Sequence, residues 1–142
     1  IVDSQGSGTG AKRTSTLVVN KAVSLIGDGT RDGAVARAVG DYLHTLRLGK
    51  VSATLNMISI DLFSRTLVVS RNSNTPVLII DDEDEPRVLE KEVPPIGVTR
   101  MIRPDINQFD LKEGMKVAAF TDGFFKAGGD TGKIEQTVIS AL

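Results

Sequence analysis

The hydrophobic pattern changes period twice along these 142 residues, and the order of those changes limits the fold more than any other feature. Between positions 10 and 26, Ala11, Leu17, Val18, Ala22, Leu25 and Ile26 recur at helical spacing. Gly27-Asp28-Gly29-Thr30 breaks that helix, and Thr30 or Asp32 is a candidate N-cap for a second helix over 32–47. The second helix carries Val35, Ala38, Val39, Tyr42, Leu43 and Leu46 on one face. From position 53 the pattern is that of strands: 53–61 alternates, 62–65 turns, and 66–70 returns as a hairpin. Residues 71–75 carry turn chemistry, 77–80 resume the sheet, 81–85 form an acidic tip, and a short strand follows at 88–92. Val93-Pro94-Pro95-Ile96-Gly97 is a rigid bend. Strands at 106–111 and 115–121 flank Lys112-Glu113-Gly114, and 133–142 reads as a helix. Two helices together, then mostly antiparallel strands, then a helix is the order of an α+β fold rather than an alternating α/β one.

A chain of this length fits one domain, 1–142, and can bury a real core. Lys+Arg 17 against Asp+Glu 18 is a near balance, so the net charge gives no reason to expect nucleic acid or an acidic membrane surface as partner. The absence of cysteine excludes a disulfide framework, thiolate zinc and a cysteine nucleophile, and is compatible with a cytoplasmic home. Apolar runs such as Pro76-Val77-Leu78-Ile79-Ile80 fall far short of the roughly 20 residues a membrane-spanning helix needs.

Two apolar runs end on an aspartate followed by a small residue: Ile1-Val2-Asp3-Ser4 and Val117-Ala118-Ala119-Phe120-Thr121-Asp122-Gly123. A strand that stops on a carboxylate places a charge at the rim of a sheet. Two such endings, the first running through Gly6-Ser7-Gly8 into a helix, suggest paired carboxylates that hold a metal.

The order of these motifs resembles a known family. Val2-Asp3-Ser4-Gln5-Gly6-Ser7-Gly8 before a helix, Ala53-Thr54-Leu55 opening a hairpin, Asn72-Ser73-Asn74-Thr75-Pro76, Pro94-Pro95-Ile96-Gly97 and Phe120-Thr121-Asp122-Gly123 follow one another as in SpoIIE-type members of the PPM metal-dependent protein phosphatases. Each motif alone is weak; the ordered set, over about residues 1 to 127, is specific. The resemblance implies a PPM-type β-sandwich of mostly antiparallel strands flanked by helix pairs. It implies Mn²⁺ or Mg²⁺, two ions in the complete domain, and hydrolysis of phosphoserine or phosphothreonine by metal-activated water without a phosphoenzyme. The implied partner is a phosphorylated regulatory protein of the anti-anti-sigma type in a sigma-factor switch, with a homodimer also compatible.

By the same resemblance, Asp3 takes the position of the carboxylate that bridges both metals, Ser4 that of a backbone-carbonyl ligand, and Asp122 that of a further metal carboxylate. Hard cations want oxygen ligands, so the single His44 and the absent cysteines do not count against such a site. Ser4 stands where the family usually has Gly, and Ser7 where many members carry His or Lys. The family's first sandwich strands and its closing Asp-Asp pair are not matched here, which reads as a domain truncated at both ends.

Plainer readings stand beside these. Asp3 and Asp122 suit Asx-turns, and Gly6-Ser7-Gly8 suits an ordinary strand–helix connection. A dinucleotide fingerprint fits poorly, because Gly6-Ser7-Gly8-Thr9-Gly10 has the wrong spacing and no βαβ unit follows. Neither Ser4 nor Ser7 has an evident base. His44 reads as a helix-surface or boundary residue, and Asp61 and Asp110 read as surface. Two functions follow: a metal-dependent phosphatase, or a catalytically silent module of the same fold that binds a regulatory partner.

Overall fold

The computed structural model describes residues 1–81, 84–124, 136–138 and 140. After strand β1 (Val2–Ser4) come helices α1 (Gly8–Gly27) and α2 (Asp32–Arg47). Then follow strands β2 (Ala53–Asp61), β3 (Thr66–Asn72), β4 (Val77–Asp81), β5 (Asp84–Leu89), β6 (Asp105–Asp110) and β7 (Lys116–Ala119). Residues 136–138 and 140 are helical, as expected for that segment; the rest of the expected 133–142 helix, and Asp82 and Glu83 of the acidic tip, lie outside the described residues.

The strands form a four-stranded sheet, order β1-β2-β3-β6, and a three-stranded sheet, order β5-β4-β7. Every pairing between them is antiparallel. Leu67 and Val69 of the larger sheet pack on Val77 and Ile79 of the smaller, with Phe109, Val117 and Ala119 at their margins. The other face of the larger sheet, through Ala53, Leu55 and Met57, packs on Val18 and Ala22 of α1 and Val35, Ala36, Val39 and Leu43 of α2. The result is an α+β stack of helix pair, sheet and sheet, with one apolar core in each gap.

Local chemistry explains the connections. Asp61 Oδ1 accepts hydrogen bonds from the Phe63 and Ser64 amides, 2.8 and 3.1 Å, and so folds the 62–65 turn. These bonds, those from Ser64 first, hold the exposed Asp61 carboxyl below its ordinary pKa. Helix α2 stops at Leu48 in the left-handed region, whose amide closes on His44 O. Its N-cap is Arg31, with Asp32 inside the first turn, rather than Thr30 or Asp32 itself. The bend at 93–97 is pinned by mutual backbone hydrogen bonds between Ile96 and Ala53, 2.9 and 3.0 Å. Gly97 sits there at φ +100, where an added Cβ would lie 2.5 Å from Val51 O and 2.7 Å from Leu43 Cδ2. His44 is a boundary residue as expected, with Nδ1 3.2 and 3.0 Å from Gly97 O and Val98 O.

Candidate functional site

A cleft of about 430 Å³ opens at one end of the sandwich, where the motifs scattered along the sequence meet. It is lined by Asp3, Ser4, Gln5 and Gly6 after β1, Ser52, Ala53 and Thr54 at the start of β2, Ser73, Asn74 and Thr75 after β3, Pro95 of the bend, and Asp122 beyond β7. Of the Gly6-Ser7-Gly8 loop, only Gly6 reaches it.

Strand register decides what β1 offers. Ile1 and Asn56 exchange backbone hydrogen bonds at 2.8 and 2.9 Å, and the Gln5 amide donates to Ser52 O at 2.9 Å. Asp3, opposite Thr54, therefore sits at a bonded position, and the carbonyl of Ser4 points away from β2. The Ser4 hydroxyl is committed elsewhere: it donates to Ala11 O in α1 and accepts from Ser15 Oγ at 3.0 Å. What Ser4 presents to the cleft is backbone. Its side chain ties the strand to the helix. Asp3, one residue earlier, projects to the opposite face of the sheet.

The loops around the cleft brace one another. Ser52 Oγ donates to Gln5 Oε1 at 3.1 Å, and Thr54 Oγ1 bonds the backbone of Asp3 at 3.2 and 3.3 Å. Thr75 Oγ1 donates to Phe120 O at 3.0 Å, Asn74 Oδ1 accepts from Val93 N at 3.2 Å, and Asn72 Nδ2 donates to Pro94 O at 3.2 Å. Beyond β7, Asp122 opens a helical turn in which Phe124 N bonds Thr121 O and the Phe120 and Phe124 rings stack at 4.7 Å. Sequence reasoning placed Asp3, Ser4 and Asp122, and the structure brings all three to one cleft. It missed Gln5 and the bracing roles of Thr54, Asn74 and Thr75, whose partners lie far away in sequence.

The donors suit a hard divalent cation in kind: two carboxylates, a carbonyl, amides and hydroxyls, with no imidazole or thiol. Among the described residues no group of three His, Cys, Asp or Glu side chains that could hold a metal ion comes together.

A family model described as Stage II sporulation protein E (SpoIIE) matches residues 1–142, the whole chain. The chain belongs to the SpoIIE family. Solved phosphatase structures share its fold, and the chain spans less than two thirds of the first of them. The PP2C phosphatase domain with a regulatory-domain fragment of SpoIIE from Bacillus subtilis superposes with a TM-score of 0.79 at 18% identity, covering 95% of this chain and 40% of that one. RsbX in complex with magnesium gives 0.74 at 15% identity, covering 87% and 58%. The catalytic domain of the serine threonine protein phosphatase PstP with two manganese ions gives 0.71 at 14%, covering 94% and 70%. Among curated proteins, no sequence matches. No helix among the described residues is long and apolar enough to cross a membrane.

Proposed function

We propose that this SpoIIE-family domain is a metal-dependent protein serine/threonine phosphatase, using Mn²⁺ or Mg²⁺, whose substrate is a phosphorylated regulatory protein of the anti-anti-sigma type. One observation carries the reading: Asp3 and Asp122, from opposite ends of the chain, line one oxygen-rich cleft with every motif of the family pattern around it. Asp3, Asp122 and the Ser4 carbonyl are the groups that hold metal. When bound, the cation neutralises phosphoryl charge and lowers the pKa of a water for in-line attack.

The chain's own part is to hold and orient. The rim hydroxyls of Ser52, Thr54, Ser73 and Thr75 are spent on internal hydrogen bonds, so they frame the cleft. Because the oxygens of Gln5 and Asn74 accept from Ser52 and Val93, their NH₂ ends are the donors offered to a phosphoryl group. RsbX bound to magnesium and PstP bound to two manganese ions support the choice of cation.

A second reading is a catalytically silent module that binds its regulatory partner without turnover. The absence of a third acidic side chain at the cleft among the described residues favours it. Hydrolysis of p-nitrophenyl phosphate and of a phosphoserine peptide by the full chain separates the two. The phosphatase gives turnover that rises with Mn²⁺ and vanishes with chelator. Tight phosphoprotein binding without turnover at any Mn²⁺ concentration rejects the enzyme in favour of the module.

A further inference from the structure

Arg71 heads the fully buried side chains among the described residues, with 0% exposure. It lies near the end of β3, in register with Asn56 of β2 and Asp105 of β6, on the sheet face that carries Val69 and Leu67 into the sandwich. A guanidinium is tolerated in such a place only with partners. Nη1 lies 3.6 Å from Asp105 Oδ2, while Lys91 Nζ takes the other oxygen at 3.5 Å. Nε and Nη1 have no hydrogen-bond acceptor among the described residues. The hydrogen bonds all come from Nη2, which donates to Ser73 O at 3.3 Å and Thr75 O at 2.9 Å. Burial lowers the guanidinium's pKa, and Asp105 and then Glu90 oppose that shift; an arginine stays charged under such conditions.

The turn it grips is the brace of the site. Thr75 N donates to Ser73 Oγ at 3.0 Å, the two hydroxyls lie 2.6 Å apart, and Thr75 Oγ1 reaches Phe120 O, two residues before Asp122. We propose that Arg71 is a positioning residue: from inside the sandwich it sets the 73–75 turn, and through Thr75 that turn sets the Phe120-Thr121-Asp122 segment against Asp3. The proposal rests on the reading of Asp3 and Asp122 as the metal-holding pair, and it deepens that reading.

The test is amide hydrogen exchange together with calorimetric Mn²⁺ titration of the full chain, for Arg71→Met, Arg71→Lys and Thr75→Val. Asp105 keeps Lys91 when Arg71 is replaced, so the variants are expected to fold. In Arg71→Met, exchange at 73–75 and 121–124 rises by about tenfold and Mn²⁺ affinity falls by about tenfold, the scale of one lost charge-assisted hydrogen bond. Arg71→Lys, which retains a charged donor, recovers part of both. Thr75→Val cuts the same chain of bonds at its next step, and the double variant is no worse than the larger single one. Folded Arg71→Met with wild-type exchange at 121–124 overturns the proposal; if that variant does not fold, wild-type exchange there in Thr75→Val does so. A wild-type chain that binds no Mn²⁺ overturns the metal-site reading instead, while the exchange data still decide whether Arg71 sets the turn.

Discussion

Asp3 and Ser4 are neighbours that the pleat of β1 sends opposite ways, and their substitutions should therefore separate metal holding from anchoring. Ser4→Ala removes the hydroxyl bonded to Ala11 O and Ser15 Oγ but keeps the carbonyl. It should cost about 1–2 kcal/mol in denaturant unfolding and leave Mn²⁺ affinity within about threefold. A large loss of affinity at unchanged stability contradicts the backbone role given to Ser4. Asp122→Asn takes one of two carboxylates from the cleft. Its half-saturating Mn²⁺ should rise about a hundredfold, equal to some 3 kcal/mol, with recovery of rate at high metal. An unchanged titration removes Asp122 from the ligand set.

Elements were legible where the period was long and clean. The helices expected over 10–26 and 32–47 span Gly8–Gly27 and Asp32–Arg47, and the 53–70 hairpin was recovered with its turn. The buried stripe of α2 is rotated from the expected one: Tyr42 and Leu46 are exposed, while Ala36 and Gly40 face the core. Small residues there let Ile102 approach, with 2.9 Å from its Cδ1 to a Cβ added at Gly40, which a hydrophobicity pattern cannot register. The strand expected at 88–92 is Asp84–Leu89, because pairing with β4 overrides the polar composition of its start. Residues 71 and 72 looked like turn but extend β3, and Arg71 is buried by partners that sequence spacing does not reveal. Gly97 was readable as part of a bend, yet its reason is tertiary. Gly97→Ala should destabilise by on the order of 3 kcal/mol, from a positive φ and a backbone clash together, measured by thermal melting. A melting temperature unchanged from wild type contradicts the packing of the bend on α2.

For the whole molecule, the α+β order was legible because helices and strands are segregated along the chain, and Asp3 and Asp122 line one cleft because the end of β1 and the segment after β7 open at one rim. The bracing between loops was not, since each bond joins residues tens of positions apart. Among the described residues β1 pairs only with the first part of β2, and Ile58 and Ile60, on the inner face, are 38% and 56% exposed. An unpaired apolar edge invites association. Sedimentation of these 142 residues should show concentration-dependent self-association that Ile60→Lys weakens; equal behaviour of the two proteins shows that this edge is not the contact.

The central claim is that the cleft between Asp3 and Asp122 is the metal-dependent centre of a phosphatase, and Asp3→Asn tests it most directly. Mn²⁺-dependent p-nitrophenyl phosphate hydrolysis by the full chain, wild type beside Asp3→Asn, should show activity only in the wild type, with both proteins folded by circular dichroism. Equal Mn²⁺-dependent activity in the two would place the chemistry elsewhere and contradict the account.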